Sequence, residues 1–520
     1  MTPETPPKAG RKEWIGLIVL ALPCLIYSMD LTVLHLAIPK LSADLRPSAA
    51  ELLWIIDIYG FLVAGSLITM GTLGDRIGRR RLLMIGAAAF AVASVLAAFS
   101  RTSGMLITTR ALLGLAGATI APGTLSLIRH MFLDPQQRTM AIGIWITSYS
   151  VGGAIGPLVG GVLLEYFWWG SVFLLSVPVM ALLLILGPML LPEYRDPNAG
   201  RLDLLSAALS LAAVLSMIFG LKLIAQDGLA LVPVLFILTG VVIGLVFVRR
   251  QLRLKDPLLD LRLFRLPSFS ASLATYGLAI LFMFGGFLFL PQYLQLVKGM
   301  SPFHSGLWTL PWALSFVVGS MVTPRLVRHL RPAFVMAAGM AMAAVGFALF
   351  TRVDTNTGFW TFAGGTTIFS LGMAPVFTLT TDLIVGSAPP ERAGAAAAIS
   401  ETAGEFGGAL GIAVFGSIGV ALYRAGLPDA LFDGWPPEMV QVTRSTLAGA
   451  LETADPKTDE LVREAAKQAF IRGIQVCAAI SAAGSLLLAA FAAITLRHGR
   501  GSAEAAPEGR ELSVASEGRA

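Results

Sequence analysis

Fourteen apolar segments follow one another along this 520-residue chain. They fall at about 15–38, 52–73, 82–99, 105–127, 140–164, 171–191, 204–223, 230–248, 268–297, 306–324, 333–350, 360–384, 393–422 and 473–496. A helix needs about 20 such residues to cross the hydrocarbon core of a bilayer. The pattern predicts an all-α integral membrane protein with 14 transmembrane helices. With 55% hydrophobic and only 13% charged residues, against about 25% charged in soluble domains, a soluble globular fold is excluded. The 54 glycines suit helices that approach closely in lipid. Glycine and proline inside the segments are tolerated there. Cys24 and Cys477 both lie in apolar stretches, so no structural disulfide is expected. A polar, basic N-terminus precedes the first segment and no small-residue cleavage site follows it. It reads as a retained span rather than a signal peptide.

Loop charges set the expected sidedness. With both termini cytoplasmic, the inner loops before the tail hold 21 Lys/Arg. The six short outer loops hold 6, with Lys222 counted in the loop after the seventh segment. This asymmetry is what the positive-inside rule requires, and it supports an even number of spans. Because the bases lie in inter-span loops, nucleic-acid binding is a poor reading of the net charge of +6. Two connections are long. The outer one, 425–472, contains two amphipathic stretches, Pro437–Ala450 and Pro456–Phe470, and predicts a helical hairpin at the outer mouth. The inner one, Arg249–Pro267, carries six basic residues and is expected to lie along the cytoplasmic membrane surface. The polar tail, 497–520, is expected to be disordered.

Six ionisable residues are assigned to span interiors: Asp30, Asp57, Arg110, Asp382, Glu401 and Glu405. A charge at such depth is costly, so each is a candidate functional residue. Five acids against one base suit a chamber for cations or exchangeable protons. At about 1.5 Å per residue, Asp30 and Arg110 fall at comparable depth, and an ion pair between them is the economical arrangement. Glu401 and Glu405, four apart, share one face of span 13. Two carboxylates this close cannot both ionise cheaply. Asp382 lies near the inner end of span 12, within reach of water, and reads as structural. No metal-ligand cluster, nucleophile–base pair or phosphate loop appears, so neither an enzyme nor a bound metal or cofactor is expected.

Three motifs give the pattern a family. Between spans 2 and 3 stands GTLGDRIGRRR, with Gly71, Gly74, Asp75, Arg76, Gly78 and Arg79. It resembles motif A of the major facilitator superfamily. RALLG, from Arg110 to Gly114, resembles the buried-arginine motif B, with Leu113 where many members carry Gln. GGAIGPLVGG, with Gly152, Gly156, Pro157, Gly160 and Gly161, resembles motif C of the antiporter branch. Its glycine-smooth face and proline-weakened helix suit packing that rearranges. MDLTVLHLAIP in span 1, with His35 in place of the more usual Asn, is similar to the first-span motif of fourteen-span drug:proton antiporters. Leu53–Tyr59 of span 2, the acid pair of span 13 and the long outer loop are similar to quaternary-ammonium-compound and methyl-viologen-resistance efflux pumps.

The resemblance implies two six-helix halves, 1–191 and 268–496, with spans 7 and 8 and a basic linker between them at 192–267. It implies alternating access by rocking of one half against the other. Asp30, Asp57, Arg110, Glu401 and Glu405 would handle protons or substrate, and motif A would form the inner gate. The expected function is proton-driven multidrug efflux of lipophilic cations from a bacterial inner membrane by a monomer. Tyr59, Trp145, Tyr149, Phe284, Phe287 and Trp312 are candidates to stack on the cargo through cation–π contact. Export of an endogenous metabolite or lipid-like molecule by the same fold is the alternative.

Overall fold

The computed structural model describes residues 7–47, 49–195, 203–227, 229–254, 257–300, 302–308, 310–389, 392–455 and 459–496. The expected disordered tail, 497–520, and residues 196–202 lie outside these residues. Among the described residues there is no strand, and 13 helices are long and apolar enough to cross a membrane. The tenth sequence segment forms a helix of 17 residues, Leu310–Leu326, which packs between spans 5 and 12. In chain order the spans are Arg11–Leu45, Ala49–Ile77, Arg79–Ala98, Ser103–Met131, Pro135–Tyr166, Ser171–Leu190, Leu204–Asp227, Leu231–Gln251, Pro267–Phe287, Leu310–Leu326, Pro332–Phe350, Phe359–Ser387, Ala393–Ala425 and Glu460–Thr495.

Span 4 is interrupted after Gly117 and resumes at Ile120. Pro122 has no N–H to return to the carbonyl four residues earlier, which weakens the helix there. Span 9 ends at Phe287, and the segment beyond it forms a short helical turn at Leu290–Gln292 and a π-turn at Tyr293–Val297. The sequence reading had carried that span unbroken to 297.

The largest buried apolar cluster draws almost wholly on spans 1–6, from Leu17 to Leu191. A second draws on spans 9–14 and the connection before span 14, from Ala279 to Ala489. No described residue of span 7 or 8 joins either cluster. These two spans pack on each other, and span 7 also lies against spans 2 and 13. Span 8 leaves Leu235, Leu238, Val242 and Leu245 exposed, as a lipid-facing helix does.

Two connections differ from expectation. The linker after span 8 is anchored, because Gln251 Oε1 accepts the Leu258 N–H at 2.7 Å while its amide nitrogen donates to Ser206. Leu258, Leu259 and Leu263 are buried with Phe247, Phe269 and Ile384. Its apolar residues therefore seal the helix ends rather than merely coating a surface. In the 425–472 connection, the first amphipathic stretch is split into Pro437–Ser445 and Leu447–Thr453. Thr446 Oγ1 caps the second piece by accepting the Gly449 N–H at 3.0 Å. Most of the second predicted stretch is the opening of span 14, which begins at Glu460. Among the described residues there is no separate second helix.

Candidate functional site

A central cavity of about 360 Å³ lies between spans 1, 5, 9, 10, 12 and 13. Trp145, Tyr149, Tyr276, Trp312, Phe316 and Phe377 line it, and Glu401 is its one charged group among the described residues. Glu401 Oε1 is buried, and no hydrogen-bond donor reaches it among the described residues. Small-molecule sites are typically apolar chambers of this size with a few polar groups. Three of the predicted aromatics, Trp145, Tyr149 and Trp312, line the cavity, while Tyr276, Phe316 and Phe377 were missed. A uniformly apolar helix gives little phase information, so which ring faces inward is not readable from it.

Other predicted residues lie elsewhere. Tyr59 is fully buried and faces Arg110, whose guanidinium carbon stands 5.0 Å from the ring centroid. It belongs to the ion-pair environment rather than the cavity wall. Phe284 packs against Gly408 of span 13 and does not line the chamber, while the side chain of Phe287 lies outside the described residues. Glu405 is one turn beyond Glu401 on span 13 and is not among the lining residues.

The structure brings Asp30 and Arg110 together, with Arg110 Nη1 donating to Asp30 Oδ2 at 3.0 Å. Arg110 is 1% exposed, so the pair is sealed. A small cavity of about 20 Å³ adjoins Asp30 against span 6, large enough for roughly one water. Asp57 is paired too, with a partner the sequence reading missed. Lys222 lies well inside the span 7 helix, which continues to Asp227, and its Nζ donates to Asp57 Oδ1. The intramembrane balance is therefore not five acids against a single base, because Lys222 was misassigned to a loop.

At the end of the bundle that carries the basic loops, spans 1–6 and 9–14 are latched at two places. In the first, Arg79 Nε donates to Asp75 Oδ1 at 2.8 Å, while Asp75 Oδ2 accepts the Ala395 N–H of span 13 at 3.3 Å. Ala395 is in the first turn of span 13, where unpaired N–H groups favour an anion. The approach is close: a Cβ on Gly394 would fall 2.5 Å from Asp75 Oδ1, and one on Gly71 would fall 2.6 Å from the Gly394 carbonyl oxygen. Gly78 has φ of 108°, a conformation that favours glycine, and lets the chain reverse between spans 2 and 3. Gly74 packs near Leu82, and Arg76 is half-buried beside the latch. Tyr194, after span 6, lies over the Arg79 guanidinium at 5.3 Å and accepts the Arg79 N–H at its carbonyl.

The second latch corrects the reading of Asp382. It is buried rather than reaching water. Arg138 Nε and Thr139 Oγ1 of span 5 donate to its two oxygens at 2.7 and 2.8 Å. Arg129 adds hydrogen bonds to the Val385 and Gly386 carbonyls.

Motif C packs span 5 onto span 1. A Cβ on Gly152 would meet the Leu25 carbonyl oxygen at 2.3 Å, and one on Gly160 would meet Val33 at 2.6 Å. Gly156 is buried, Gly161 faces open space, and the side chain of Pro157 lies outside the described residues. No group of three or more His, Cys, Asp or Glu suited to a metal occurs among the described residues.

Comparison with known proteins agrees with this architecture. The Major Facilitator Superfamily profile matches residues 20–412. The multidrug efflux pump LfrA of Mycolicibacterium smegmatis is 40% identical over 499 residues, covering 95% of this chain and 98% of that protein. The methyl viologen resistance protein SmvA of Salmonella typhimurium is 36% identical, covering 92% and 96%. Among solved structures, the human organic anion transporter MFSD10 shares the fold, with a TM-score of 0.60 at 15% identity over 92% of this chain and 99% of that one. The chain is a multi-span membrane transporter, not an enzyme, and belongs to the major facilitator superfamily.

Proposed function

We propose that this transporter is a multidrug efflux pump that expels lipophilic organic cations in exchange for protons. One observation carries the reading: Glu401, whose buried Oε1 has no hydrogen-bond partner among the described residues, sits in a cavity walled by aromatic rings. Aromatic faces attract organic cations, most strongly when water is excluded. The carboxylate supplies the opposite charge and exchanges it for a proton. Cargo and proton then compete for one site, because each favours the opposite charge state of that group. Glu405, one helical turn away, is the second member of the exchange, since two neighbouring carboxylates share protonation.

Charge placement orients the molecule. The end holding the Asp75 and Asp382 latches is rich in arginine and faces the cytoplasm of a bacterial cell, with both termini on that side. With both latches engaged, the cytoplasmic route is closed. Protonation and cargo release reset them, and the clusters of spans 1–6 and 9–14 rock about the cavity. The machine works as a monomer and draws its energy from the proton gradient alone.

The test is transport in proteoliposomes holding the purified protein. An imposed ΔpH is expected to drive ethidium or methyl viologen against its gradient, and Glu401→Gln to abolish this. Unchanged transport in Glu401→Gln overturns the reading.

A further inference from the structure

Asp57 is held by a cation on a helix that joins neither main apolar cluster. Lys222 Nζ donates to Asp57 Oδ1 and stands 4.6 Å from the centroid of the Phe61 ring. Asp57 and Phe61 are four apart on span 2, so carboxylate and ring share one face. Phe219, three residues before Lys222, stacks on Trp54 at 6.4 Å and meets Phe61 edge-on at 5.9 Å. One carboxylate and an aromatic face is the combination by which proteins recognise quaternary ammonium groups. Here the protein fills it with its own ammonium.

The location is a junction. Span 7 lies close to span 2, where a Cβ on Gly65 would fall 2.4 Å from Leu211. Phe61 and Ala64 of span 2 bury with Val214 and Ile218 of span 7, and Phe406 and Ala409 of span 13 pack on them. Glu405 immediately precedes Phe406 in span 13. The side chains of Lys222 and Asp57 keep 35% and 21% exposure, against 1% for Arg110. The Lys222–Asp57 pair is thus the more exposed of the two, since Asp30 keeps only 12%.

We propose that Lys222 is a tethered cation. It occupies the Asp57–Phe61 site in place of a transported one, cancels that negative charge, and so limits the charge of cargo the pump prefers. This rests on the cation-efflux reading for its substrate arm only. With Lys222 in place, the free negative charge near the cargo comes from span 13. With Lys222 removed, Asp57 becomes a second anionic site that takes a proton or a foreign cation, and preference moves toward dications.

The first arm needs no cargo. The full-length protein in lipid nanodiscs is treated at pH 7 with dicyclohexylcarbodiimide, which modifies protonated carboxyls in apolar surroundings, and the Asp57 peptide is quantified by mass spectrometry. Asp57 is expected to stay unmodified in the wild type and in Lys222→Arg, which verifies folding and keeps the charge. It is expected to be modified at least tenfold more in Lys222→Met. Equal modification in wild type and Lys222→Met overturns the proposal. In the second arm, tryptophan quenching gives the affinity ratio of methyl viologen, a dication, to tetraphenylphosphonium, a monocation. The ratio is expected to rise at least fivefold in Lys222→Met and to return in Lys222→Met/Asp57→Asn. An unchanged ratio contradicts the charge-selection role. If the wild type binds neither cation, the efflux reading fails, while the carbodiimide contrast still decides whether Lys222 holds Asp57.

Discussion

The carboxylates of spans 1 and 2 are met by cations from spans 4 and 7, and those of span 13 are not. Asp30 has Arg110 and Asp57 has Lys222, whereas Glu401 and Glu405 have no ion pair among the described residues. An internal cation that is buried and well bonded makes a carboxylate a structural fixture, since removing either partner leaves an uncompensated charge. A carboxylate without one must find its counter-charge from outside, as a proton or as cargo. The contrast teaches that a census of intramembrane acids does not identify the transport site. Under the proposed mechanism, what marks it is which acids the protein leaves unmatched.

Four experiments bear on this contrast. The largest effect on transport is expected at Glu401, where Glu401→Gln should cut ΔpH-driven ethidium transport at least 100-fold. Initial rates in proteoliposomes check this. Arg110→Ala leaves Asp30 buried and unpaired and should destabilise the protein by about 3–5 kcal/mol. The double variant Asp30→Asn/Arg110→Ala should recover a large part of that loss in thermal unfolding. If the double variant is no better than the single one, the Asp30–Arg110 pair is not the fixture described here.

A smaller effect is expected at the latch. Gly394→Ala places a methyl group against the Asp75 carboxylate and should cost about 1–3 kcal/mol of the closed arrangement. Labelling of cysteines introduced on the cytoplasmic side of the cavity should then rise several-fold. Unchanged labelling means that the Asp75 contact does not hold that end shut. The smallest effect is at Trp312. Trp312→Ala removes one aromatic face and should weaken tetraphenylphosphonium binding by about 0.5–2 kcal/mol, equivalent to a few-fold to about 30-fold in affinity.

Much of this was legible in the chain. Hydropathy located the long apolar helices, 13 of them long and apolar enough to cross a membrane among the described residues, because lipid demands such helices. The Asp30–Arg110 pair followed from counting residues from the span ends. The Asp57–Lys222 pair did not, because Lys222 stands next to the last residue of the apolar run 204–223 and was counted with the loop beyond it, while the helix continues to Asp227. A lysine at that edge looks like loop until the neighbouring helix is seen. Helix rotation was equally hidden. Tyr59 and Trp145 sit on similarly apolar helices, yet one faces an arginine and the other the cavity. The latch role of Asp382 was invisible because Arg138 is 244 residues away in sequence and belongs to what reads as an ordinary inner loop.

The central claim is that cation and proton exclude one another at the unmatched carboxylates of span 13. The most direct measurement is proton release on cation binding, followed with a pH indicator in weakly buffered detergent solution near pH 7. Addition of saturating tetraphenylphosphonium to the wild-type protein is expected to release protons in proportion to the cation bound, and Glu401→Gln/Glu405→Gln is expected to release none. Stoichiometric cation binding with no proton released by the wild-type protein would contradict the account.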